Sequence, residues 1–425
     1  MSRTAWPGAG MTGRAEPPAV LKPGALKPGT LKPGALKRGR APFALLAAAA
    51  FLSSAGARII DPLMPVLAAE FDSSIGAVSA VIAAFTLPYG AMQLLLGPLG
   101  GRFGKLRVMV VAIFCYAATM AACALAGGLG ELAALRTLTG ASAAGLVPLA
   151  LAYVGDAVPY RQRQVAMSRI TAGFTIGQMM AGPLGGIFGD TLGWRGVFLV
   201  FAAVALTVGA ALAARLRRLD DPAEGAGRFE FGRYRILATR PAARMLLLTC
   251  VIEGGLFAGC FPFVAPFMRD GWGLSYTRIG LTLACFGIGG LLYAAVARRL
   301  VPALGEQRLV LLGGVCMAVG MAGATAIGAG GDPTWRFVPV ELALGFGYFT
   351  AHGVVQARAT ELLPQARSTA MSVFAFMLFA GQSLGALLIG GSVGGIGYRA
   401  ALRLDAVGIV LLTVWLIRLF RRPAG

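Results

Sequence analysis

Residues 108–127 read VMVVAIFCYAATMAACALAG and carry no charge over twenty positions. As an α-helix this stretch would extend about 30 Å, which is the thickness of the hydrocarbon core of a bilayer. Lys105 and Arg107 precede it, and similar apolar runs recur from Ala41 to Phe420. The sequence therefore predicts an all-α polytopic membrane protein.

The composition agrees with this class. Of the 425 residues, 57% are hydrophobic and 13% are charged, whereas soluble domains carry about 25% charged residues. The net charge of +20 would suit a nucleic-acid-binding protein. The 38 Lys and Arg residues are instead spread in short clusters between apolar runs. We therefore expect a lipid bilayer, and no nucleic acid, as the partner of this chain.

Apolar runs bounded by charged residues predict twelve transmembrane helices. The predicted spans are residues 43–66, 75–98, 108–127, 132–154, 166–188, 197–214, 245–268, 279–297, 309–329, 337–358, 368–391 and 402–420. The polar stretch at residues 215–243 divides them six and six. The predicted organisation is a six-helix bundle at 41–214, a central loop at 215–243, a second bundle at 244–420 and a tail at 421–425.

Residues 1–40 form a basic tail in which LKPGA-type repeats recur every five residues from Leu21. Pro and Gly at this density predict a disordered arm, which either contacts anionic lipid headgroups or is a dispensable extension. Of the 38 Lys and Arg residues, 30 fall in this tail, in alternate loops or in the C-terminal tail. The positive-inside rule therefore predicts that both termini and the central loop are cytoplasmic.

The two predicted bundles share features at a nearly constant spacing. Offsets of 205 to 206, 204 and 201 relate the following sets: Asp156, Pro159 and Arg161 to Glu361, Pro364 and Arg367; Gly177 and Gln178 to Gly381 and Gln382; Gly104 and Lys105 to Gly305 and Glu306. Many carriers build a central cavity between two such repeated units. The chain is therefore predicted to be a tandem repeat.

Four motifs resemble those of the major facilitator superfamily. Residues 97–107 (GPLGGRFGKLR) resemble its loop signature, usually written GxLaDRxGrk, and residues 132–140 (LAALRTLTG) resemble its fourth-helix motif with an embedded Arg. Residues 182–186 (GPLGG) are similar to the GPxxGG motif of the antiporter branch, and residues 193–198 (GWRGVF) to the usual opening of span six. The resemblance covers residues 41–420.

This resemblance implies a transporter of two pseudo-symmetric six-helix bundles in a bacterial inner membrane, working as a monomer. It implies alternating-access movement of a small organic solute, with proton-coupled efflux favoured by the antiporter motif. Uptake by a proton symporter or facilitator is the alternative, and a non-transporting sensor or scaffold is an alternative of another class. Walker and HExxH motifs are absent from the sequence, so we expect no enzyme activity, cofactor or metal.

The loop signature supplies the predicted gating residues. They are Gly97, Arg102, Gly104, Lys105 and Asp156, with Lys105 and Asp156 as a possible charge pair. Gly101 stands where the family has an acidic residue, and the antiporter motif is one residue short. The predicted helix-packing residues are Gly177, Gly182, Pro183, Gly185 and Gly186, because glycines allow close helix contact and proline bends a helix.

Ionisable side chains within membrane spans are costly and normally face the interior or a water-filled path. Arg58 and Asp61 share a helix face three residues apart, forming either part of a substrate site or a neutralised kink. Arg136 comes from the fourth-helix motif. Glu253 has no cation within a helical turn, and desolvation then favours the protonated acid, so we expect it to carry the coupled proton.

His352 is the only histidine of the chain. Tyr348, His352 and Gln356 recur every four residues and so share a helix face. That face suits substrate hydrogen bonding or a proton relay, and a structural histidine bonded to a carbonyl is the alternative. Glu341 lies near a predicted span end, so it is expected at the membrane interface. Weaker candidates for the cavity wall are Tyr89, Gln93, Gln178, Tyr293 and Gln382.

Overall fold

The computed structural model describes residues 42–158, 160–216, 231–328, 332–363 and 366–420. The predicted tails at 1–40 and 421–425 and residues 217–230 of the central loop lie outside these ranges. The helices of the first half are α1 (Phe43–Arg58), α2 (Met64–Glu70), α3 (Ile75–Phe103), α4 (Lys105–Cys123), α5 (Leu129–Ala143), α6 (Leu146–Ala157) and α7 (Tyr160–Leu216). Those of the second half are α8 (Phe231–Thr239), α9 (Pro241–Glu253), α10 (Val264–Trp272), α11 (Tyr276–Ala326), α12 (Thr334–Thr360) and α13 (Arg367–Phe420).

Within the described ranges, nine helical segments are long and apolar enough to cross a membrane. Three of them span 55, 51 and 54 residues, whereas one crossing needs about 20 residues. Each contains one glycine with non-helical backbone angles, namely Gly193 in α7, Gly305 in α11 and Gly397 in α13. Division at these glycines gives twelve segments within the described ranges, and the number of membrane crossings stays a prediction.

The turn glycines repeat in the two halves. Gly104 and Gly305 have φ of 92° and 68°, and Gly193 and Gly397 have φ of 69° and 75°. These values lie in the left-handed region, which glycine enters at no steric cost. The two pairs are separated by 201 and 204 residues, so the turns occur at the spacing of the predicted tandem repeat.

The first span of each half is interrupted at an equivalent proline. A 3₁₀ turn at Asp61–Leu63 separates α1 from α2, and a 3₁₀ turn at Phe261–Phe263 precedes α10. Pro62 and Pro262 lie at the second position of these turns; proline cannot donate a backbone hydrogen bond within a helix. In the second half a π-helical turn at Gly254–Ala258 comes directly after α9. Each interruption leaves backbone polar groups beside ionisable side chains.

Part of the predicted central loop is helical. Helix α8 lies within residues 215–243, and its Tyr234 hydroxyl donates to the Leu94 carbonyl of α3 at 3.3 Å. Residues 217–230 lie outside the described residues. The described part of this segment therefore links the second half back to the first.

The hydrophobic core of the first half extends across α1 to α7, from Leu46 to Leu212. It also includes Phe263 and Ala386 from the second half. Two further clusters fill the second half, one around Phe257 and Phe286 and one around Cys250 and Phe374. The two halves therefore share buried apolar surface.

Two ends of the bundle are named by a residue that each contains. The Asp190 end contains Ser74, Asp190, Tyr276 and Gly397, and the Lys105 end contains Gly104, Lys105, Asp156, Glu306 and Arg358. At the Asp190 end, α3 and α13 meet where Gly76 faces the backbone of Gly390. The contacts between halves continue inward to the bond between Thr86 Oγ1 and Ser383 Oγ, which is 2.6 Å long.

Equivalent helix pairs pack through one glycine in each half. A Cβ at Gly140 in α5 would overlap the Phe85 carbonyl of α3, and a Cβ at Gly345 in α12 would overlap the Phe286 carbonyl of α11. Gly345 follows Gly140, and Phe286 follows Phe85, by about the repeat spacing of the two halves. Glycine thus brings two helix backbones into direct contact at matching places.

This contact predicts opposite effects for two glycine substitutions in α12. Gly345→Ala should lower stability by about 1–3 kcal/mol, because the added methyl group overlaps backbone that cannot move away cheaply. Gly353→Ala is the matched control, since a Cβ there would meet only the Tyr293 hydroxyl at 3.6 Å. Alanine's higher helix propensity should make that variant neutral or more stable by up to about 1 kcal/mol. Thermal unfolding in detergent would compare the two, and equal midpoints would contradict the packing account.

Candidate functional site

Arg136 is fully buried in the first half. Its Nη1 donates to the Gly56 carbonyl at 3.0 Å, and its guanidinium lies over the Phe85 ring, 4.2 Å from the centroid. Nε and Nη2 have no hydrogen-bond partner among the described residues. Asp61 acts on this cation electrostatically without forming an ion pair in the described structure. A buried guanidinium with unpaired N–H donors is energetically costly. Such a group within a membrane span marks a candidate site for binding or charge balance.

Arg58 and Asp61 are brought together as predicted. Arg58 Nη1 lies 4.0 Å from Asp61 Oδ2, which is a loose ion pair, and Asp61 is 3% exposed. The guanidinium of Arg58 also lies over two rings of the second half, 4.7 Å from the centroid of Phe261 and 5.8 Å from that of Phe286. Arg58 therefore joins the two halves, which its position in the sequence did not indicate.

Glu253 has a basic partner. His352 Nδ1 of α12 lies 3.0 Å from Glu253 Oε1 at the end of α9, and Glu253 is 3% exposed. The expectation of a carboxylate without a basic neighbour is therefore wrong, because the partner comes from another helix, 99 residues away in sequence. Glu253 Oε2 has no hydrogen-bond partner among the described residues, so this carboxylate keeps one free acceptor.

The predicted face of α12 is only partly assembled. The Tyr348 ring stacks on His352 with 5.0 Å between centroids and on Phe257 with 4.4 Å between centroids. Gln356 is exposed and has no described contact with this pair. Tyr348 and His352 therefore belong to one buried cluster, and Gln356 stands apart from it.

Glu341 is completely buried, and both of its carboxylate oxygens lack a hydrogen-bond partner among the described residues. The expectation of an interfacial position is wrong. Glu341 lies four residues before Gly345, as Arg136 lies four residues before Gly140. Arg136 and Glu341 thus occupy equivalent positions with opposite charge. Their spacing of 205 residues, which also relates Asp156 to Glu361, was the sequence signal for this placement.

Asp405 was missed by the sequence reasoning. It lies in α13, is 2% exposed, and has no described hydrogen-bond partner for either oxygen. The signal was its position inside the predicted span 402–420. Its nearest titratable neighbour is the buried Cys260 thiol.

Hydroxyl groups connect the halves near the middle of the molecule. Tyr89 Oη lies 3.1 Å from Ser53 Oγ, and its ring meets Phe379 of the second half edge-on with 4.7 Å between centroids. Ser383, whose hydroxyl bonds that of Thr86, has no charged residue next to it in the sequence. It follows Gln382, which is 7% exposed. Tyr89 and Gln382 were expected at the cavity wall, whereas Ser53, Thr86 and Ser383 gave no signal in the sequence.

The gating residues lie at the Lys105 end. Lys105 forms an ion pair with Asp156, and Gly104 ends α3. Gly97 is within α3, which continues through Arg102, and the Arg102 guanidinium lies over the Phe103 ring at 5.1 Å. The second half has an ion pair at the same end, Glu306 with Arg358 at 2.5 Å, in which Glu306 occupies the position equivalent to Lys105. Each pair stays within one half, so it can act on the gate only through the shape of that half.

The packing motif of α7 contacts both halves. A Cβ at Gly177 would overlap the Phe51 carbonyl of α1. A Cβ at Gly185 would overlap the carbonyl of Ile59, which directly follows α1. Gly182 and Gly186 instead face Gly280 and Tyr276 of α11, and Pro183 lies between them in α7.

Asp190, two turns beyond Pro183, caps a helix of the other half. Its Oδ2 accepts hydrogen bonds from the Thr277 amide at 2.8 Å and from the Thr277 hydroxyl at 2.7 Å. Thr277 is the second residue of α11, where backbone N–H groups lack partners within the helix. At the same end, Arg278 pairs with Asp332 at 2.7 Å, and the hydrogen bonds from Thr334 hold the pKa of Asp332 below its usual value. The contacts of Asp190 with Thr277 therefore join the halves at the Asp190 end.

Comparison with family models gives a match to the Major Facilitator Superfamily over residues 46–386. The chain belongs to the Major Facilitator Superfamily. It is therefore a transport protein and not an enzyme. The resemblance inferred from the four motifs is confirmed, and so is the helical membrane fold.

Curated relatives of this superfamily chain include two proteins of Bacillus subtilis (strain 168). The uncharacterized MFS-type transporter YceJ is 26% identical over 78% of this chain and 84% of its own length. The uncharacterized MFS-type transporter YwfA is 26% identical over 60% of this chain. MdtD of Escherichia coli, whose name places it among multidrug resistance proteins, is 27% identical over 71% of this chain. The matched region spans less than two thirds of YwfA and MdtD, at 62% and 59% of their lengths.

Solved structures of superfamily transporters show the same fold. A bacterial homologue of the human lysosomal transporter Spinster superposes with a TM-score of 0.73 at 18% identity, covering 92% of this chain and 98% of its own. The nucleoside transporter NupG superposes with a TM-score of 0.72 at 15% identity, covering 90% of this chain and 100% of its own.

The Asp190 cap predicts a local change in amide exchange. Asp190→Ala should speed hydrogen–deuterium exchange of the first turn of α11 about fivefold, since loss of a capping acceptor costs about 1 kcal/mol. Glu70→Ala is the control, because Glu70 pairs with Arg195 at the same end within the first half only. Mass spectrometry of a peptide covering residues 275–280 would report the change, and unchanged exchange in Asp190→Ala would show that the cap does not hold the two halves together.

Proposed function

We propose that this transporter exports a small organic solute in exchange for protons across a bacterial inner membrane, with both termini in the cytoplasm. The 3.0 Å contact between the buried Glu253 and the partly buried His352 is the observation that carries the proposal. The name of MdtD and the antiporter-type motif at residues 182–186 support efflux.

The Glu253–His352 pair has two charge states, which differ by one proton. With the proton present, imidazolium and carboxylate neutralise each other; without it, a neutral imidazole leaves Glu253 as a buried anion. A buried ion without a partner is costly, so loss of the proton favours a conformation or a ligand that compensates the charge. The other ionisable groups facing this pair are Tyr348 from α12, Cys250 from α9 and, through its field on Tyr348, Arg58. Proton binding there can therefore drive a change between conformations.

Arg58, Asp61 and Arg136 form the opposite wall of the proposed cavity. Asp61 forms only a loose 4.0 Å pair with Arg58, whereas Glu253 and His352 lie 3.0 Å apart, so that one proton can be held between them. We therefore assign the proton to Glu253 and His352, and we expect Arg58 and Asp61 to shape the substrate site.

The halves are joined at the Asp190 end. In the orientation predicted from the basic loops, that end faces the outside of the cell, so the described conformation would open towards the cytoplasm. Alternating access then requires release of the contacts of Gly186 and Asp190 with α11.

Uptake by a proton symporter or a facilitator is the second candidate, because NupG, a nucleoside transporter by name, has the same fold. A sensor or scaffold would move no solute. The direction of solute movement relative to an imposed pH gradient separates efflux from uptake.

The proton assignment predicts separable transport defects. A growth screen of a deletion strain against toxic compounds would first identify a solute, which is then followed in proteoliposomes. Glu253→Gln and His352→Gln should lose gradient-driven accumulation but keep solute exchange without a gradient, because the proton site is lost while the other groups of the proposed cavity remain. Asp61→Asn should impair both activities.

Glu361→Gln is the matched control, since Glu361 is an exposed partner of Arg367 at the Lys105 end. It should transport as the unmodified protein does. Uphill accumulation by Glu253→Gln under a pH gradient would refute the assignment, and solute that moves with the proton, in the same direction, would replace efflux by uptake.

A further inference from the structure

Four aromatic rings of the second half form one cluster, made of Phe257, Phe261, Phe286 and Tyr348. Phe257 stacks on Tyr348 with 4.4 Å between centroids and on Phe286 with 5.5 Å, and Phe261 lies 4.8 Å from Phe286. The rings come from the interrupted first span of the half and from α11 and α12. We call these four residues the aromatic cluster.

A cation already contacts the aromatic cluster. The Arg58 guanidinium lies 4.7 Å from the centroid of Phe261 and 5.8 Å from that of Phe286. A cation within about 6 Å of a ring face is attracted by the ring's negative quadrupole. Arg58 belongs to the first half, so a side chain from outside the second half occupies this position.

Two carboxylates beside the aromatic cluster have free acceptors. Glu341 has no described hydrogen-bond partner on either oxygen, and Glu253 has none on Oε2. Arg58 acts electrostatically on Glu341. Among the described residues, the buried charged side chains of the second half are all acids: Glu253, Glu341 and Asp405. Aromatic faces and carboxylates together favour a cation over an anion or a neutral molecule.

We propose that the aromatic cluster, with Glu253 and Glu341, binds a lipophilic organic cation, and that Arg58 holds this position until the substrate displaces it. This inference rests on the transport function proposed above. The loose 4.0 Å pair between Arg58 and Asp61 gives the displaced guanidinium a second place to bind. Arg58 is thus an internal competitor that sets the affinity for the cation.

Tetraphenylphosphonium is a suitable probe because it joins one positive charge to aromatic surface. Its binding to the purified full-length chain in detergent would be measured by isothermal titration calorimetry, with protein-free micelles subtracted. Tetraphenylborate has nearly the same shape and the opposite charge, and it should not bind above the micelle background.

The variants should change the affinity for tetraphenylphosphonium in opposite directions. Arg58→Gln should tighten binding about threefold to tenfold, because a competitor held by a cation–π contact is removed. Phe286→Leu keeps an apolar side chain but removes a ring, and Glu341→Gln keeps the shape but removes the charge; each should weaken binding about threefold to tenfold. Arg336→Gln is the control, since Arg336 lies over the Trp335 ring on the surface at 5.2 Å.

Several results would overturn the proposal. Tetraphenylborate binding that is lost in Arg58→Gln would show an anion site, and tetraphenylphosphonium affinity that is equal in Arg58→Gln, Phe286→Leu and Glu341→Gln would place the cation elsewhere. Absence of binding to the unmodified protein would also refute it. Size-exclusion chromatography checks each variant's fold, and Arg58→Lys, which retains a cation, should bind more weakly than Arg58→Gln.

The binding experiment and the transport experiment test separate claims, so either can fail without the other. Proton-driven movement of another solute without tetraphenylphosphonium binding would retain the proposed function and reject the cation site. If the variants change tetraphenylphosphonium affinity as predicted but no solute moves under a pH gradient, the cation site is retained and the proposed function is rejected.

Discussion

The direct backbone contact between paired helices determines where the interior charges lie. In each half, one glycine lets α5 touch α3 or α12 touch α11, at Gly140 with Phe85 and at Gly345 with Phe286. One turn earlier on the same helices stand Arg136 and Glu341, both fully buried. Helices at backbone distance leave no room for water between them, so the charge one turn away is held at a fixed depth. These two contacts therefore fix the depth of Arg136 and Glu341 in the interior.

The helices and turns could be predicted because lipid imposes a length on each apolar run and satisfies no backbone group. The breaks at Gly193, Gly305 and Gly397 fall in predicted loops. The pairing of Arg58 with Asp61 could also be predicted, since three residues of separation fix it on one helix face. The partner of Glu253 could not, because His352 comes from another helix and sequence spacing carries no record of which helices meet. Glu341 was misplaced because hydropathy locates span ends poorly, although the repeat spacing held the correct answer.

The two halves repeat their backbone while exchanging their charges. Lys105 in one half corresponds to Glu306 in the other, and Arg136 corresponds to Glu341. Matching backbones allow both halves to form equivalent packing surfaces, and exchanged charges make the two interior walls electrostatically complementary. The proposed cavity would therefore have Arg136 on the first half and Glu341 on the second as its opposed charges.

This arrangement can couple two ligands without a connecting pathway. Glu253 belongs both to the proposed proton pair with His352 and to the acidic wall beside the aromatic cluster. A proton on the pair cancels the charge that would attract a cation, and a bound cation stabilises the carboxylate without the proton. Each ligand therefore lowers the affinity for the other by the same factor, as linkage requires of two equilibria that share a group. Competition at one carboxylate is sufficient for exchange, because the protein then crosses between conformations with either a proton or a cation neutralising Glu253 and only rarely with neither.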